Sequence, residues 1–487
     1  MNGQIVRLYG FIVLLFGVLV FFTSKWAVID ADELRGNPGN HRPLIEEQQI
    51  ERGTITSSDG VLIAESFPSG PGSQAVFERD YPQGALFGHP VGYNFVDPGR
   101  TGIELAENDL LIGEGNEFET LLDQLRNRTQ EGNDITLTLD AGAQRVAIDA
   151  LQAQMAAKGA DGGAVVALEP DTGAVKVMAS VTGFDPNAVQ DEDTLGTLQK
   201  DEERAPLVNR ATQSTYPPGS TMKVVTAVAA LDSGEFDTST LLNADSPKEI
   251  SGAPLSNSSD QSFGDITMET ALTNSVNTYW AQVGEQLGPD IYFEYMERFG
   301  FNRDPELNYP DFQMAPSGVY QDGKLLGPDD LIDVGRVAIG QERLLATPTQ
   351  MAEVAAAVAN GGTLMKPTFL QQAVDPDGRK IEELDPDEQS EVMSDETAAQ
   401  LTAMMTDVAS IGTAAGLSTS LGTLAGKTGT AELNIEQSLN QPWFIGFAPA
   451  EDPQIAIAAT LEPCVSCFGA TDAGPVAMAV MDALTGG

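Results

Sequence analysis

The chain has 487 residues, 41% of them hydrophobic, which is enough for a globular core and for roughly two or three domains. It carries 26 lysines and arginines against 71 aspartates and glutamates, a net charge of −45, and this argues against a nucleic-acid partner because phosphate binding needs basic residues. The two histidines are His41 and His89, so a histidine-based catalytic triad or metal site is excluded after residue 89.

The first predicted element is an uncharged hydrophobic segment, Leu8 to Ser24, between Arg7 and Lys25. As a helix it spans about 25 Å, enough to cross a thin hydrocarbon core. No signal-peptidase site of the A-x-A type follows, so we predict an uncleaved transmembrane anchor over residues 1–24. The charges on its two sides favour a cytoplasmic N-terminus and an extracytoplasmic catalytic domain; the acidic ones are Asp30, Asp32 and Glu33.

Residues 25–133 are predicted to form a small, mainly β N-terminal domain. They are rich in glycine, proline and short strand-like runs, such as 60–64 after a Ser-Asp-Gly turn, and show no clear helical periodicity. From Ile135 the pattern changes to an alternating strand over 135–139 and an alanine-rich helix over 141–157. We therefore predict a second domain over residues 134–487.

The second domain is predicted to have an α+β fold. Strands, then a block of helices, then strands again indicate a central antiparallel sheet that both ends of the domain complete, with a helical lobe between them. Three polar segments, 186–208, 246–263 and 375–393, are predicted as loops. The predicted elements are a hairpin over 164–168 and 174–179, helices over 220–232, 267–286, 348–359, 396–410 and 474–484, and strands over 423–433, 442–448 and 454–461.

Ser220 and Lys223 form an S-x-x-K motif where two prolines and a glycine lead into an apolar helix. Residues three apart share a helix face, so the Lys223 amine can reach the Ser220 hydroxyl. Burial would lower the lysine pKa and allow it to accept the serine proton, while the helix N-terminus would favour an oxyanion. The alternative is a helix cap with a surface lysine, and the motif alone is weak because it arises by chance.

Two further motifs follow in the chain. Ser275 and Asn277 could project together from a turn, although a pair of helix-capping residues is the better interpretation of this motif alone. Lys427 lies inside an apolar strand, with Thr428 and Thr430 sharing one strand face and Gly429 allowing a ligand backbone to approach. Such a strand edge can bind an extended peptide and its carboxylate; the alternative is an ordinary edge strand protected by a lysine.

The two cysteines, Cys464 and Cys467, form a single C-x-x-C after a strand-like run. One pair excludes a four-sulfur zinc site within the chain. A structural or inert pair is favoured over a redox-active one, and a small local disulfide could form in a domain outside the cytoplasm.

The three motifs together, in this order, resemble the signatures of penicillin-recognising serine transpeptidases. The resemblance extends over nearly the whole chain after the anchor and is closest to class B penicillin-binding proteins, in particular the short actinobacterial penicillin-binding protein A group. Glu342 departs from it, since the family usually has glycine there. The additional matching segments are 52–55 with 59–62, 102–104, 338–352, 359–362, 412–414 and 443–447.

This resemblance implies a D,D-transpeptidase that cross-links peptidoglycan stem peptides and is covalently inhibited by β-lactams. Ser220 would be the nucleophile and Lys223 the base, and Ser275 with Lys427 would relay the proton. Asn277, Thr428, Gly429 and Thr430 would bind substrate, with the backbone N–H groups of Ser220 and Thr430 as oxyanion hole. No metal or cofactor is implied. A membrane-embedded glycosyltransferase of the SEDS type is the implied partner.

Two other functions stay open from the sequence. A β-lactamase would need a base that delivers water, and 304–308 (Asp-Pro-Glu-Leu-Asn) is a near match to the loop that carries this base in class A enzymes. A non-catalytic penicillin-binding sensor or scaffold is the other, against which the complete set of Ser220, Lys223 and Lys427 argues.

Overall fold

The computed structural model of the protein describes residues 2–26, 42–70, 76–114, 130–434 and 436–486. Helix α1 (Asn2–Ser24) covers the predicted anchor. Its apolar side chains are exposed, and it is long and apolar enough to cross a membrane. It therefore fits a single-pass membrane anchor. His41, Asp30, Asp32 and Glu33 lie outside the described residues.

The described part of the N-terminal domain consists of short elements. Its longest strand pairs with the next strand along the chain in antiparallel fashion, and each of its helices has about one turn. The elements are α2 (Arg42–Glu47), β1 (Ile55–Thr56), β2 (Leu62–Ser69), β3 (Val76–Asp80), α3 (Gly88–Val91), β4 (Asn94–Phe95), β5 (Gly99–Arg100), α4 (Gly102–Ala106) and α5 (Asn108–Leu111).

The second domain alternates strands and longer helices. Its helices are α6 (Ala141–Lys158), α7 (Glu192–Lys200), α8 (Lys223–Asp232), α9 (Met268–Thr273), α10 (Asn277–Arg298), α11 (Val334–Val337), α12 (Pro348–Ala359), α13 (Asp395–Ser410) and α14 (Gly474–Ala483). Its strands are β6 (Asp134–Leu137), β7 (Gly163–Leu168), β8 (Val175–Val181), β9 (Leu242–Asn243), β10 (Lys248–Ile250), β11 (Ala253–Leu255), β12 (Asp265–Ile266), β13 (Gly318–Gln321), β14 (Lys324–Leu325), β15 (Leu344–Leu345), β16 (Thr363–Met365), β17 (Leu370–Val374), β18 (Lys380–Glu383), β19 (Glu388–Glu391), β20 (Ala425–Asn434), β21 (Leu439–Ala448), β22 (Ile455–Leu461) and β23 (Cys464–Val465).

The central sheet has the strand order β20-β21-β22-β7-β8, with β23 paired to β21. Every neighbouring pair in it is antiparallel. Strands β7 and β22 are buried along their whole length because helices α6, α12 and α14 pack on the sheet. Helix α12 is rich in alanine and nearly all of it is buried, which allows a close approach to the strands. This confirms the predicted α+β fold, with a sheet closed by both halves of the domain.

A second six-stranded sheet joins the N-terminal domain to the rest of the chain. Its order is β18-β17-β6-β1-β2-β3. Strands β1, β2 and β3 come from the N-terminal region, whereas β6, β17 and β18 follow residue 133. The sheet therefore draws on both predicted domains, and the boundary at residue 133 stays a prediction.

A buried ionic cluster stabilises the N-terminal part of this second sheet. The Glu104 carboxylate accepts hydrogen bonds from Arg52 Nε at 2.6 Å and from Arg79 Nε at 2.7 Å, and the three side chains are at most 5% exposed. Burial alone would raise the pKa of Glu104, but Arg79 and Arg52 outweigh it and hold this pKa at about 2. Two of the segments that resemble the family in sequence, 52–55 and 102–104, thus meet at one salt-bridge cluster.

Most of the predicted elements are confirmed, and the differences have local causes. The helix predicted over 267–286 is two helices, α9 and α10, because the chain turns at Ser275 with a positive φ of 56°. The segments predicted as loops contain short elements: α7, the hairpin β10–β11, and β18 with β19. Cys464 and Cys467 form a disulfide next to the central sheet.

Candidate active site

Ser220 lies in a short 3₁₀ turn, Gly219–Met222, that continues directly into α8. Gly219 has a positive φ of 55° and its backbone N–H donates to Gly340 O at 3.0 Å. The side chains from Lys223 to Leu231 are all buried, whereas Ser220 itself is only half-buried. The nucleophile candidate is thus presented at the surface end of a helix that is otherwise part of the core.

Lys223 is fully buried and has four oxygen neighbours. Its Nζ lies 3.0 Å from Ser220 Oγ and 3.2 Å from Ser275 Oγ, and it lies 2.7 Å from both Ser275 O and Asn277 Oδ1. Within the described part of the chain no carboxylate bonds to it. Burial, reinforced by the charge of Lys427, holds the pKa of Lys223 well below its usual value. A neutral amine is therefore favoured beside the serine hydroxyl.

Ser275 and Asn277 lie where α9 ends and α10 begins. The positive φ of Ser275 places both its carbonyl and its hydroxyl within reach of Lys223. Asn277 begins α10, and its Nδ2 donates to Ser256 O at 3.1 Å while its Oδ1 faces Lys223. The capping alternative raised from sequence does not describe these side chains, because their hydrogen bonds go to Lys223, Lys427 and Ser256 and not to the N–H groups at a helix N-terminus.

Lys427 also contacts Ser275, from a strand of the central sheet. It lies on β20 at the edge of the central sheet and is fully buried. Its Nζ donates to Ser275 Oγ at 2.9 Å and to Thr428 O at 2.9 Å. Burial lowers the pKa of Lys427 to about 7. Ser275 therefore connects the two lysines, and all three motifs meet in one cleft.

The hydroxyls of Thr428 and Thr430 lie on the other face of β20. Thr428 Oγ1 is 2.7 Å from Thr413 Oγ1, and Thr430 Oγ1 accepts from the Gly469 backbone at 3.3 Å. Thr413 is exposed and follows α13. It belongs to the segment 412–414 that matched the family by sequence, yet nothing in the sequence pattern alone pointed to its contact with Thr428.

Gly429 is required by the packing of the chain itself. A Cβ atom there would lie 2.8 Å from Pro218 O and 2.9 Å from Trp443 Cβ. The closest atoms belong to the turn that carries Ser220 and to the neighbouring strand, so the glycine lets the nucleophile turn lie directly against β20. The approach of a ligand backbone at Gly429 stays a prediction.

Metal chemistry finds no support in the arrangement of side chains. Among the described residues, no group of three or more His, Cys, Asp or Glu lies close enough together to hold a metal ion. The site is instead a pair of buried lysines with hydroxyl and amide partners, which is a combination suited to moving protons to and from a serine.

The burial of Lys427 predicts a specific pH dependence of stability. In the unfolded chain a lysine titrates near 10.5, but in the fold Lys427 titrates at about 7. Its destabilising contribution is therefore complete below pH 7 and is lost as the pH rises toward 10.5. We expect Lys427→Met to gain stability relative to the wild type at pH 7 and to lose this advantage by pH 10, as measured by urea unfolding.

The exposed Lys324 provides the matched control for this measurement. Lys324→Met should show the same stability difference from the wild type at both pH values. An equal difference for Lys427→Met at pH 7 and pH 10 would contradict the lowered pKa.

The chain matches two family models. One is the penicillin-binding protein transpeptidase domain, which matches residues 163–482. The other is the penicillin-binding protein A dimerisation domain, which matches residues 52–135. The first match contains all three motifs, and the second contains the buried cluster around Glu104.

Two relatives that match over nearly their whole length are named as peptidoglycan D,D-transpeptidases. The chain is 31% identical to the peptidoglycan D,D-transpeptidase PbpA of Mycolicibacterium smegmatis, with 99% of each chain covered. It is 32% identical to PbpA of Mycobacterium tuberculosis, again over 99% of each chain.

Solved structures agree with these relatives. The ceftriaxone acyl-enzyme of penicillin-binding protein A from M. tuberculosis superposes with a TM-score of 0.78 at 30% identity, covering 90% of this chain and 99% of that one. The penicillin G acyl-enzyme of the same protein gives a TM-score of 0.77 at 30% identity, covering 90% of this chain and 100% of that one. Both neighbours were thus captured with a β-lactam covalently bound.

Proposed function

Because this chain belongs to the penicillin-binding protein family and is a serine D,D-transpeptidase of peptidoglycan synthesis that binds β-lactams, we propose that Ser220 is its nucleophile and Lys223 its general base. The observation that carries this assignment is the distance of 3.0 Å between Lys223 Nζ and Ser220 Oγ. The lysine has the low pKa that a base requires near neutral pH.

The partners of Lys223 also orient its lone pair. A neutral amine has two N–H donors and one acceptor position. Ser275 O and Asn277 Oδ1, each 2.7 Å away, can only accept, and together they take both N–H groups. The lone pair is left for the hydroxyl of Ser220. The Ser275 turn and Asn277 therefore position the base as well as lining the cleft.

The reaction then follows from the geometry of the two lysines. Ser220 Oγ attacks the carbonyl carbon of the penultimate D-alanine while its proton passes to Lys223. The C–N bond to the terminal D-alanine breaks, and the leaving amine takes a proton from Ser275 Oγ. Ser275, held by Lys427 at 2.9 Å, takes in exchange the proton that Lys223 returns across 3.2 Å, so that Lys223 is neutral again. An amine of a second stem peptide then attacks the acyl ester and gives its proton to Lys223, and the ester C–O bond breaks as Lys223 returns a proton to Ser220 Oγ.

The remaining motif residues are assigned to substrate binding. Asn277 would hold the donor peptide, and the hydroxyls of Thr428 and Thr430 would donate to its terminal carboxylate beside the Gly429 backbone. Backbone N–H groups of Ser220 and Thr430 would form the oxyanion hole. This assignment is supported by the position of both threonines on one face of the edge strand β20.

A β-lactamase is not supported. The similar proteins are transpeptidases, and the segment with the near match, 304–308, makes contacts away from the cleft. Glu306 pairs with Arg303 and Lys366, and Asn308 donates to Glu107 in the N-terminal domain. Within the described residues it therefore supplies no base to Ser220. A non-catalytic sensor is disfavoured as well, since the lysine–serine arrangement is complete.

Helix α1 suits a membrane anchor, and we place the catalytic domain on the extracytoplasmic side, where stem peptides lie. The support is the charge asymmetry around the anchor, with Arg7 and the amino terminus before it and Asp30, Asp32 and Glu33 after it. A SEDS-type membrane glycosyltransferase is the proposed partner, and residues 25–133 are the proposed N-terminal domain that lies between the anchor and the catalytic domain. Protease accessibility in intact cells tests the orientation, and co-purification from membranes tests the partner.

Intact-mass analysis after incubation with penicillin G tests the nucleophile. We expect the wild type to gain the mass of one penicillin, mapped by peptide sequencing to Ser220. The adduct should be absent from Ser220→Ala and should persist for many minutes. Labelling of Ser220→Ala would disprove the assignment, and loss of the wild-type adduct within seconds would favour a hydrolase.

A further inference from the structure

The segment that delivers Ser220 has few backbone hydrogen-bonding groups. Pro217 and Pro218 have no N–H, so their carbonyls are the only groups through which these two residues can be fixed. The Pro218 carbonyl accepts from Thr221 Oγ1 at 2.7 Å, within the same turn. The Pro217 carbonyl accepts from the indole Nε1 of Trp443, on β21, at 3.0 Å.

Trp443 lies at the junction of the two catalytic segments. It is fully buried on β21, directly opposite Gly429 on the strand that carries Lys427. Tyr216 packs against its ring edge-on, with the ring centroids 6.2 Å apart. Because Gly429 has no side chain, the Cβ atom of Trp443 and the Pro218 carbonyl both lie close to β20 at this position.

We propose that Trp443 is a positioning residue for acylation, whose indole N–H fixes the Pro217 carbonyl and thereby holds Ser220 in register with Lys427 and Thr430. This inference rests on Ser220 being the nucleophile. The indole N–H donates to the Pro217 carbonyl and not to Ser220. It acts through the Pro217–Gly219 turn, whose other end is held by the bond from Gly219 N to Gly340 O.

Trp280 provides a matched control. It is also fully buried, and its Nε1 has no hydrogen-bond partner among the described residues. Trp280→Phe therefore removes the same indole volume as Trp443→Phe without removing a hydrogen bond from the nucleophile turn. The difference between the two variants isolates the contribution of the Nε1–Pro217 bond.

The test is stopped-flow acylation by penicillin G, which separates the reversible dissociation constant from the first-order acylation rate constant. We expect Trp443→Phe to lower the rate constant by roughly 10- to 100-fold with the dissociation constant almost unchanged, since small misplacements of reacting groups have effects of this size. Trp280→Phe should acylate at nearly the wild-type rate, even where its melting temperature falls as far.

Several results would overturn the proposal. One is an acylation rate constant of Trp443→Phe equal to that of the wild type. Another is a loss of rate that is the same in Trp443→Phe and Trp280→Phe and parallels the fall of their melting temperatures. If Trp443→Phe does not fold, benzothienylalanine at position 443 keeps the bicyclic shape and removes only the N–H, and it should show the same slow acylation. Mapping of the adduct keeps the two hypotheses apart, because a slow label that still lies on Ser220 leaves the nucleophile assignment intact.

Discussion

Substitution of Lys223 by methionine is expected to slow acylation by penicillin G by about 10²- to 10⁴-fold, the usual contribution of a general base. Methionine keeps much of the side-chain volume and removes the amine that lies 3.0 Å from Ser220 Oγ. The substitution leaves Ser275 O and Asn277 Oδ1 without their donor. However, it also ends the burial of an amine that is costly to desolvate, so the chain should stay folded.

Stopped-flow kinetics and intact-mass analysis check this expectation, with circular dichroism to confirm the fold. The reversible binding of penicillin should be retained, because Lys223 bonds to Ser220, Ser275 and Asn277 and not to Thr428 and Thr430, which are proposed to bind the carboxylate. The exposed Lys324→Met is the control for replacing a lysine as such. Acylation of Lys223→Met close to the wild-type rate would assign the base to another group, with Lys427, which bonds to Ser275 Oγ, as the next candidate.

The chemistry of the site could be predicted because it depends on short motifs. An S-x-x-K at the start of an apolar helix fixes the reach of Lys223 to Ser220 by helix geometry alone. A lysine inside an apolar strand has to face a cleft or a partner, and Lys427 does so. The distances confirm that these residues meet, since Ser275 contacts both lysines.

What could not be predicted depends on contacts between distant parts of the chain. The break between α9 and α10 at Ser275 interrupts a segment with continuous helical character, and the interruption is what turns its carbonyl toward Lys223. The packing of Pro218 and Trp443 against Gly429 is a structural reason for this glycine that the sequence did not indicate, beside its predicted role near a ligand. Neither the Trp443–Pro217 bond nor the Thr413–Thr428 contact has a local signal in the sequence.

Glu342, which departs from the family resemblance, has an unusual backbone conformation in the structure. The family usually has glycine at this position, and Glu342 adopts a positive φ of 65°, a conformation that glycine adopts without strain. It lies two residues after Gly340, whose missing side chain allows contact with Gly219 beside the nucleophile. A glycine at position 342 would adopt this backbone conformation without strain, whereas the glutamate adopts it at some conformational cost.

One buried carboxylate, that of Glu104, pairs with two arginines in the N-terminal domain. Glu104 is fully buried and is the ion-pair partner of both Arg52 and Arg79. The same cluster includes Tyr81 Oη, 3.2 Å from Glu104 Oε1, and Asn108 Oδ1, which accepts from Arg52 at 2.7 Å. Burial already lowers the pKa of Arg52 to about 10 against the attraction of Glu104. Without this carboxylate, two guanidinium charges would be buried uncompensated.

Glu104→Gln is therefore expected to lower the free energy of unfolding by about 3–5 kcal/mol, the usual cost of leaving a buried charge unpaired. The substitution is nearly isosteric, so the loss reports charge and not a cavity. Glu306→Gln is the control, because Glu306 pairs with Arg303 and Lys366 at side chains that are 35–38% exposed, and such pairs contribute about 0–1 kcal/mol. Urea unfolding of both variants at pH 7 decides the matter: equal and small losses would show that Glu104 is not the residue that holds the two arginines in the fold.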